Sequence, residues 1–96
     1  MYARHLELTD FAAYKDTSGR ITRLPAKLSR KDKLSLQLLE IFQPGVEYSE
    51  PELNEMLKIY LDDFALVRRT LVEMGHLQRD AYGKVYKRVS KAPEPN

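Results

Sequence analysis

Residues 49–89 read SEPELNEMLKIYLDDFALVRRTLVEMGHLQRDAYGKVYKRV, and this stretch decides the fold. Ser49 and Glu52 have the spacing of a capping box, and Pro51 stands in the first helical turn, where its missing N–H costs nothing. Apolar residues then recur at helical spacing up to the acidic pair Asp62-Asp63: Leu53, Met56, Leu57, Tyr60 and Leu61. The pattern predicts a helix that begins at Ser49 and ends before the acidic pair.

A second helix and a hairpin are predicted after the acidic pair. Asp63 offers a side-chain cap for a helix that runs to about Met74, and Gly75 tolerates the left-handed backbone that often closes a helix. At 100 degrees per residue Arg69 lies opposite the inward-facing residues, which are Phe64, Val67, Leu71 and Met74. Residues 77–80 and 84–89 then suit two short strands around the turn Ala81-Tyr82-Gly83.

Another helix is predicted upstream of residue 49. Ser29 is expected to cap it, with Asp32 three residues later, and Pro44-Gly45 is expected to end it. Its apolar stripe is wider than one contact face requires, because it contains Leu34, Leu36, Leu38, Leu39, Ile41 and Phe42. Either the N-terminal segment covers the second face, or that face is a homodimer or protein interface. Residues 46–48 then suit one short strand.

The first 28 residues carry weaker signals. Thr9 can cap a short helix that reaches Tyr14 or Lys15 and buries Phe11. A turn at residues 17–19 and a short strand at residues 20–24 follow from Thr-Ser-Gly and from polar-apolar alternation. We therefore divide the chain into an N-terminal extension with a short helix (1–19), a domain (20–89) and a flexible tail (90–96).

The order of the predicted elements is helix, short strand, helix, turn, helix and hairpin. This order predicts a mainly α fold with a small β-hairpin. It is the order of a winged helix-turn-helix, in which three helices form the core and the hairpin is the wing. The N-terminal helix and strand would be an extension of that unit.

Composition narrows the function classes. The 96 residues are 43% hydrophobic, enough for the core of one domain, and they contain no cysteine, which excludes disulfides, thiolate metal sites and thiol nucleophiles. The sequence has no signal-peptide layout and no apolar run of bilayer length, so we expect a cytoplasmic protein without membrane contact. His5 and His76 lack a second ligand at metal-binding spacing, and no phosphate loop or nucleophile elbow occurs. We therefore expect a non-enzymatic binding module without a metal or cofactor.

The net charge of +2 conceals an uneven distribution. Residues 27–63 carry five Lys or Arg against eight Asp or Glu, whereas residues 64–91 carry seven against two. A basic C-terminal part favours an anionic partner, because local potential steers association more than net charge does. The same asymmetry also fits two halves of an ordinary solvated surface.

Four spaced motifs carry a resemblance to a known family: LPAK at 24–27, YSEPELN at 48–54, Asp63 followed by VRRTLVEMGHLQR at 67–79, and Gly83 with YKR at 86–88. Over roughly residues 20–89 they resemble the bacterial domain of unknown function family 2087. Val67 and Lys87 stand where that family often has Leu and an aromatic residue. Members occur alone or beside helix-turn-helix domains in proposed transcriptional regulators, so the resemblance implies a regulatory setting and no known activity.

Double-stranded DNA is the first partner that the basic residues suggest. An exposed arginine on the third helix could enter the major groove while hairpin cations contact phosphates and an aromatic tip reaches a sugar. The candidate nucleic-acid-binding residues are Arg68, Arg69, Arg79, Tyr82, Lys84, Lys87 and Arg88. A small DNA-binding transcriptional regulator, or an accessory domain of one, is the function that these residues favour.

Each candidate also has a structural interpretation. Arg68 could pair with Asp62, Asp63 or Glu55, and the hairpin cations could simply protect a sheet edge from pairing with other chains. Acidic residues at the start and end of the second helix would repel phosphate. The alternative function is a winged-helix protein-interaction module that does not bind DNA.

Overall fold

The computed structural model describes residues 6–89, and within them the chain forms one 3-10 helix, three α-helices and three strands. The elements follow in this order: the 3-10 helix (Thr9–Tyr14), α1 (Leu28–Leu39), β1 (Glu47–Ser49), α2 (Glu50–Lys58), α3 (Phe64–Glu73), β2 (Leu77–Arg79) and β3 (Val85–Arg88). The predicted tail at residues 90–96 and His5 lie outside the described residues.

The three strands form one antiparallel sheet in the order β1-β3-β2. Lys87 on the central strand β3 is opposite Glu47 on one side and Gln78 on the other. The separate short strand and the hairpin that the sequence predicted are therefore parts of a single sheet. The chain is a small α/β domain in which the helices pack beside a three-stranded antiparallel sheet.

The predicted caps of α2 and α3 are confirmed. The Ser49 hydroxyl accepts a hydrogen bond from the Glu52 N–H (3.2 Å), and the Glu52 carboxylate accepts one from the Ser49 N–H (2.9 Å). The Asp63 carboxylate accepts a hydrogen bond from the Leu66 N–H (3.3 Å) at the start of α3. Gly75 follows α3 with a φ of 84°, the left-handed backbone that was predicted.

Two predictions about α1 are wrong. The N-cap residue is Lys27 and its side chain makes no capping bond, so Ser29 lies inside the first turn and does not cap the helix. The helix ends at Leu39, earlier than Pro44-Gly45, and Ile41 and Phe42 follow it outside the helix. Both side chains are nevertheless buried, because the chain turns at this point and keeps them against the core.

The N-terminal segment differs from the prediction in two ways. Its helix is of the 3-10 type and begins after Leu8, which has a left-handed backbone (φ 51°), so Thr9 is not the cap. Residues 20–24 do not form a strand, since only Ile21 makes isolated bridges, with Lys15 and Leu61. Hydrogen bonds to the chain between α2 and α3 replace ladder pairing there: Ile21 N–H to Tyr60 C=O and Asp62 N–H to Ile21 C=O.

The N-terminal segment also covers the second face of α1. Phe11 is fully buried, as predicted, and the Arg30 guanidinium lies 4.9 Å from the centre of its ring. The Asp10 carboxylate contacts the Lys33 ammonium at 3.1 Å and accepts a hydrogen bond from the Gln37 amide; these side-chain hydrogen bonds, Lys33 first, lower the pKa of Asp10. This face of α1 is therefore covered by the N-terminal segment of the same chain, the first of the two alternatives that the sequence left open.

One hydrophobic core connects these elements. Its fully buried members come from the N-terminal segment, all three α-helices, the chain that follows α1, the chain that follows α2, and β2; among them are Phe11, Ile21, Leu34, Leu38, Phe42, Leu53, Leu57, Leu61, Leu71 and Leu77. The longest helix has 12 residues, and none of the helices in residues 6–89 is long and apolar enough to cross a bilayer.

Candidate nucleic-acid interface

A groove of about 380 Å³ lies between α3 and the hairpin. Positions 65, 68, 69 and 72 on one face of α3 form one wall, since they are three, four and seven residues apart. The groove is lined by Ala65, Arg68, Arg69, Val72, Glu73, Arg79 and Tyr86. We call it the α3–hairpin groove, and it brings together three of the arginines that the sequence singled out.

Arg68 is held in place at the groove wall. Its Nη1 donates a hydrogen bond to the Asn54 side-chain oxygen (2.7 Å), and its guanidinium lies 5.8 Å from the centre of the Tyr86 ring. The sequence suggested Asp62, Asp63 or Glu55 as its structural partner, whereas the structure gives a neutral amide on α2. Arg68 therefore has no carboxylate partner among the described residues.

Arg69 and Arg79 are both exposed. Among residues 6–89 neither side chain makes a hydrogen bond or ion pair. The Arg79 Nη1 lies 3.2 Å from the point that a β-carbon on Gly83 would occupy, so the side chain passes over the hairpin turn. Gly83, with a φ of 67°, supplies both the turn conformation and the space for this guanidinium.

Tyr86 forms part of the apolar floor of the groove. Its side chain is buried, and its hydroxyl donates a hydrogen bond to the Glu50 carboxylate (3.3 Å). Sequence reasoning named neither Tyr86 nor Asn54 as part of a site. Alternation along β3 could have placed Tyr86 on the core side, because it lies between Val85 and Lys87. No local signal connects Asn54 with Arg68.

The hairpin turn is built on Asp80. Its carboxylate accepts hydrogen bonds from the N–H groups of Lys84 (2.7 Å) and Val85 (3.2 Å). These backbone bonds, that of Lys84 first, hold the pKa of Asp80 below its usual value. The turn presents Tyr82, which is 83% exposed, and the exposed side chain of Lys84 at its tip.

Lys87 lies on the other face of the sheet. There it borders a second depression of about 350 Å³, together with Glu47, Gln78 and Asp80. Arg79 and Tyr86 border both this depression and the α3–hairpin groove. Lys87 is therefore separated by the sheet from the face that carries Arg68 and Arg69.

Arg88 is engaged at the end of α1. Its guanidinium donates hydrogen bonds to the carbonyl oxygens of Phe42 (2.8 Å) and Leu39 (3.4 Å) and contacts the Glu40 carboxylate (3.2 Å). The side chain is only 16% exposed. The structure thus gives Arg88 a role in joining β3 to α1, and we do not include it in the interface. Its partners are 46 to 49 residues away along the chain, beyond the reach of a local pattern.

Three arginine guanidinium groups and a single carboxylate line the α3–hairpin groove, so its surface is locally cationic. In the described part of the chain, no three His, Cys, Asp or Glu side chains are grouped so that they could hold a metal ion. The Glu73 carboxylate is the one acidic group of residues 6–89 that lines the α3–hairpin groove, against the guanidinium groups of Arg68, Arg69 and Arg79. Such a surface favours phosphate or carboxylate ligands.

Comparison with known proteins places the chain in a family. Residues 20–88 match the family model DUF2087, described as an uncharacterized protein conserved in bacteria. No curated protein and no solved structure matches the chain. The match includes α1, the sheet and the whole α3–hairpin groove, and it agrees with the spaced motifs of the sequence. The chain therefore belongs to DUF2087, a family of uncharacterized bacterial proteins.

Proposed function

We propose that this domain is a winged helix that binds double-stranded DNA through α3 and the hairpin, as a bacterial transcriptional regulator or an accessory domain of one. The observation that carries the proposal is the α3–hairpin groove, where Arg68, Arg69 and Arg79 share one surface. A helix with an exposed arginine fits the width of the major groove, and flanking cations would contact phosphates.

The order of the elements supports this proposal. A three-helix core with the strand β1 between the first two helices, followed by a hairpin, is the order expected of a winged helix. In the sheet β1-β3-β2 the hairpin is anchored to the core through β1, which leaves the turn at Tyr82 free to project. Tyr82 and Lys84 would then lie along a DNA backbone beside α3.

Of the acidic residues near α2, Asp62 has a cationic partner, whereas Glu50 and Glu52 accept hydrogen bonds from neutral groups. The Asp62 carboxylate pairs with the Arg20 guanidinium at 2.7 Å, the Glu52 carboxylate is bound in its capping box, and Glu50 accepts the Tyr86 hydroxyl. The Asp62–Arg20 pair is neutral as a unit. Glu73 remains the acidic group on the proposed contact surface, so we expect modest affinity and a strong dependence on salt.

A titration of mixed-sequence duplex DNA at low salt tests the proposal. Arg69→Glu should abolish binding, because it places a carboxylate where α3 meets phosphate or base edges. Lys27→Glu is the matched control, since it makes the same charge change on an exposed residue at the N-terminal end of α1 that does not line the groove. Equal weakening in the two variants, or no binding by the unaltered protein, would contradict a specific role of the groove.

A protein-interaction function is the competing proposal, and exposed leucines on α1 favour it. Leu28 is 71% exposed and Leu36 is 38% exposed, and they are the large apolar side chains that the N-terminal segment leaves uncovered on α1. A homodimer or another protein could contact them. Under this alternative Leu36→Glu should weaken self-association measured by light scattering, while Arg69→Glu should leave it unchanged. Self-association that Leu36→Glu leaves unchanged, or an unaltered protein that is monomeric, would contradict a homodimer formed through these leucines.

We also propose that the protein acts in the cytoplasm, where a DNA-binding regulator would meet its target. A fluorescent fusion that co-localises with the nucleoid supports this, and a fusion found outside the cytoplasm contradicts it.

A further inference from the structure

We propose that the α3–hairpin groove binds a small organic anion, a carboxylate or phosphate joined to a flat apolar group. A surface that meets only a DNA backbone needs cations, whereas this groove also has an apolar floor. Ala65 and Val72 lie on the same face of α3 as Arg68 and Arg69, and the Tyr86 ring lines the groove from β3. The combination of a cationic rim and an apolar floor fits a ligand with one charged end and one apolar body.

The charged end has preformed partners. The Arg68 guanidinium is fixed by the Asn54 oxygen on one side and by the Tyr86 ring on the other, so little rotamer freedom remains to be lost when a ligand binds. Arg79 approaches from the hairpin and has no partner among the described residues. Arginine pairs bidentately with carboxylate and phosphate oxygens, which makes these two residues the expected anion clamp.

The apolar body would lie on α3. Val72 is half-buried, Ala65 is exposed, and both face the groove beside the Tyr86 ring. A volume of about 380 Å³ is near the lower end of the ~300–1,000 Å³ typical of small-molecule sites. It suits a single ring with a charged substituent better than a large cofactor.

Ligand and DNA would compete for the same arginines. Arg69 and Arg79 are the exposed cations of the groove, and an anion held there would remove them from phosphate contact. This regulatory consequence depends on the proposed DNA-binding function. Binding of the small anion itself does not, because it needs only the groove.

Phenyl phosphate is a suitable probe, with inorganic phosphate and benzyl alcohol as partial probes, all at constant ionic strength. We expect saturable NMR shifts at the Ala65 and Val72 methyl groups with phenyl phosphate, and about tenfold weaker binding for either partial probe. Arg79→Gln should weaken phenyl phosphate binding about tenfold, while Lys84→Gln on the same hairpin should leave it unchanged. Because Arg79 is exposed and makes no bond within residues 6–89, this variant should fold normally.

Several results would overturn the inference: no saturable shift in the groove, equal affinity for inorganic phosphate, or equal weakening in Arg79→Gln and Lys84→Gln. A DNA titration with and without phenyl phosphate separates the two proposals. Binding of phenyl phosphate without any DNA binding keeps the small-anion site and refutes the DNA function. DNA binding without phenyl phosphate binding refutes the small-anion site and keeps the DNA function. Binding of both without competition refutes the regulatory consequence.

Discussion

Two regions of the molecule differ in the reach of the contacts that hold them. In residues 49–89 the starts of α2 and α3 are capped by side chains three residues away. The Ser49 hydroxyl accepts a hydrogen bond from the Glu52 N–H, and the Asp63 carboxylate accepts one from the Leu66 N–H. Residues 6–27 combine a local turn, in which the Asp16 carboxylate accepts hydrogen bonds from the Ser18 and Arg20 N–H groups, with distant contacts. The Arg20 guanidinium, for example, donates a hydrogen bond to the Lys58 carbonyl, 38 residues away. The helices of the first region therefore have local signals at their ends, whereas the second region also depends on packing against the rest of the chain.

The largest test of this difference concerns Phe11. Phe11→Ala should lower the free energy of unfolding by about 3–5 kcal/mol, because it removes a fully buried aromatic side chain and leaves a cavity in the shared core. Urea denaturation of the full chain measures the change. Tyr82→Ala is the control for loss of an aromatic ring, and at 83% exposure it should change stability by less than about 0.5 kcal/mol. Similar values for the two variants would show that the N-terminal segment is only loosely attached.

Arg88 differs from the capping residues of residues 49–89, because its partners are distant and lie at the end of α1 and in the chain that follows it. Arg88→Met should cost about 1–3 kcal/mol, since the Leu39 and Phe42 carbonyls lose a charged donor and Glu40 loses its ion-pair partner. Lys87→Met, its neighbour on β3, should cost much less. DNA affinity distinguishes the two roles: at matched ionic strength Arg88→Met should bind as the unaltered protein does. If Arg88→Met lowered DNA affinity without lowering the free energy of unfolding, Arg88 would belong to the DNA interface.

The elements that the sequence predicted correctly are those with local signals. The capping box at Ser49, the Asp63 cap and Gly75 each depend on residues within a few positions, and the structure confirms all three. Ser29 had the same kind of signal and failed, because α1 begins earlier at Leu28 without a side-chain cap. The predicted strand at residues 20–24 failed because Ile21 pairs with Tyr60 and Leu61, which no local pattern reveals.

A smaller effect is expected at the capping box itself. Ser49→Ala should destabilise the protein by about 1 kcal/mol, since the Glu52 N–H loses its acceptor. Ser49→Thr keeps a hydroxyl at the same position and should recover most of this stability. Thermal unfolding followed by circular dichroism compares the three proteins. If the Ala and Thr variants are equally destabilised, the hydroxyl does not act as the cap.

The smallest effect concerns the hairpin turn and its dependence on pH. The Lys84 N–H bond lowers the folded-state pKa of Asp80 relative to the unfolded chain, so the carboxylate stabilises the fold above the unfolded value of about 4. This contribution should disappear as the pH falls through the lowered folded pKa. In Asp80→Asn the stability should therefore decrease less between pH 5 and the acid limit. Parallel pH profiles for the two proteins would contradict this role.

The candidate site was predictable in part. Arg69 could be placed on the outer face of α3 from helical spacing, and the structure leaves it exposed as expected. The groove itself depends on how the hairpin packs against α3, which brings Tyr86 and Arg79 to Ala65 and Val72. The sequence grouped Lys87 and Arg88 with the groove arginines because they are basic. Strand alternation places the Lys87 and Arg88 side chains on opposite faces of the sheet, and neither lines the groove.

The slope of DNA affinity against salt tests the role of the α3–hairpin groove most directly. For the unaltered protein, the logarithm of the binding constant should fall linearly with the logarithm of salt concentration. The double variant Arg69→Gln/Arg79→Gln should bind more weakly, with a slope shallower by roughly 0.9 for each phosphate that it no longer neutralises. Lys27→Gln should keep the original slope. An unchanged slope in the double variant, or no measurable DNA binding at low salt, would contradict the proposed interface.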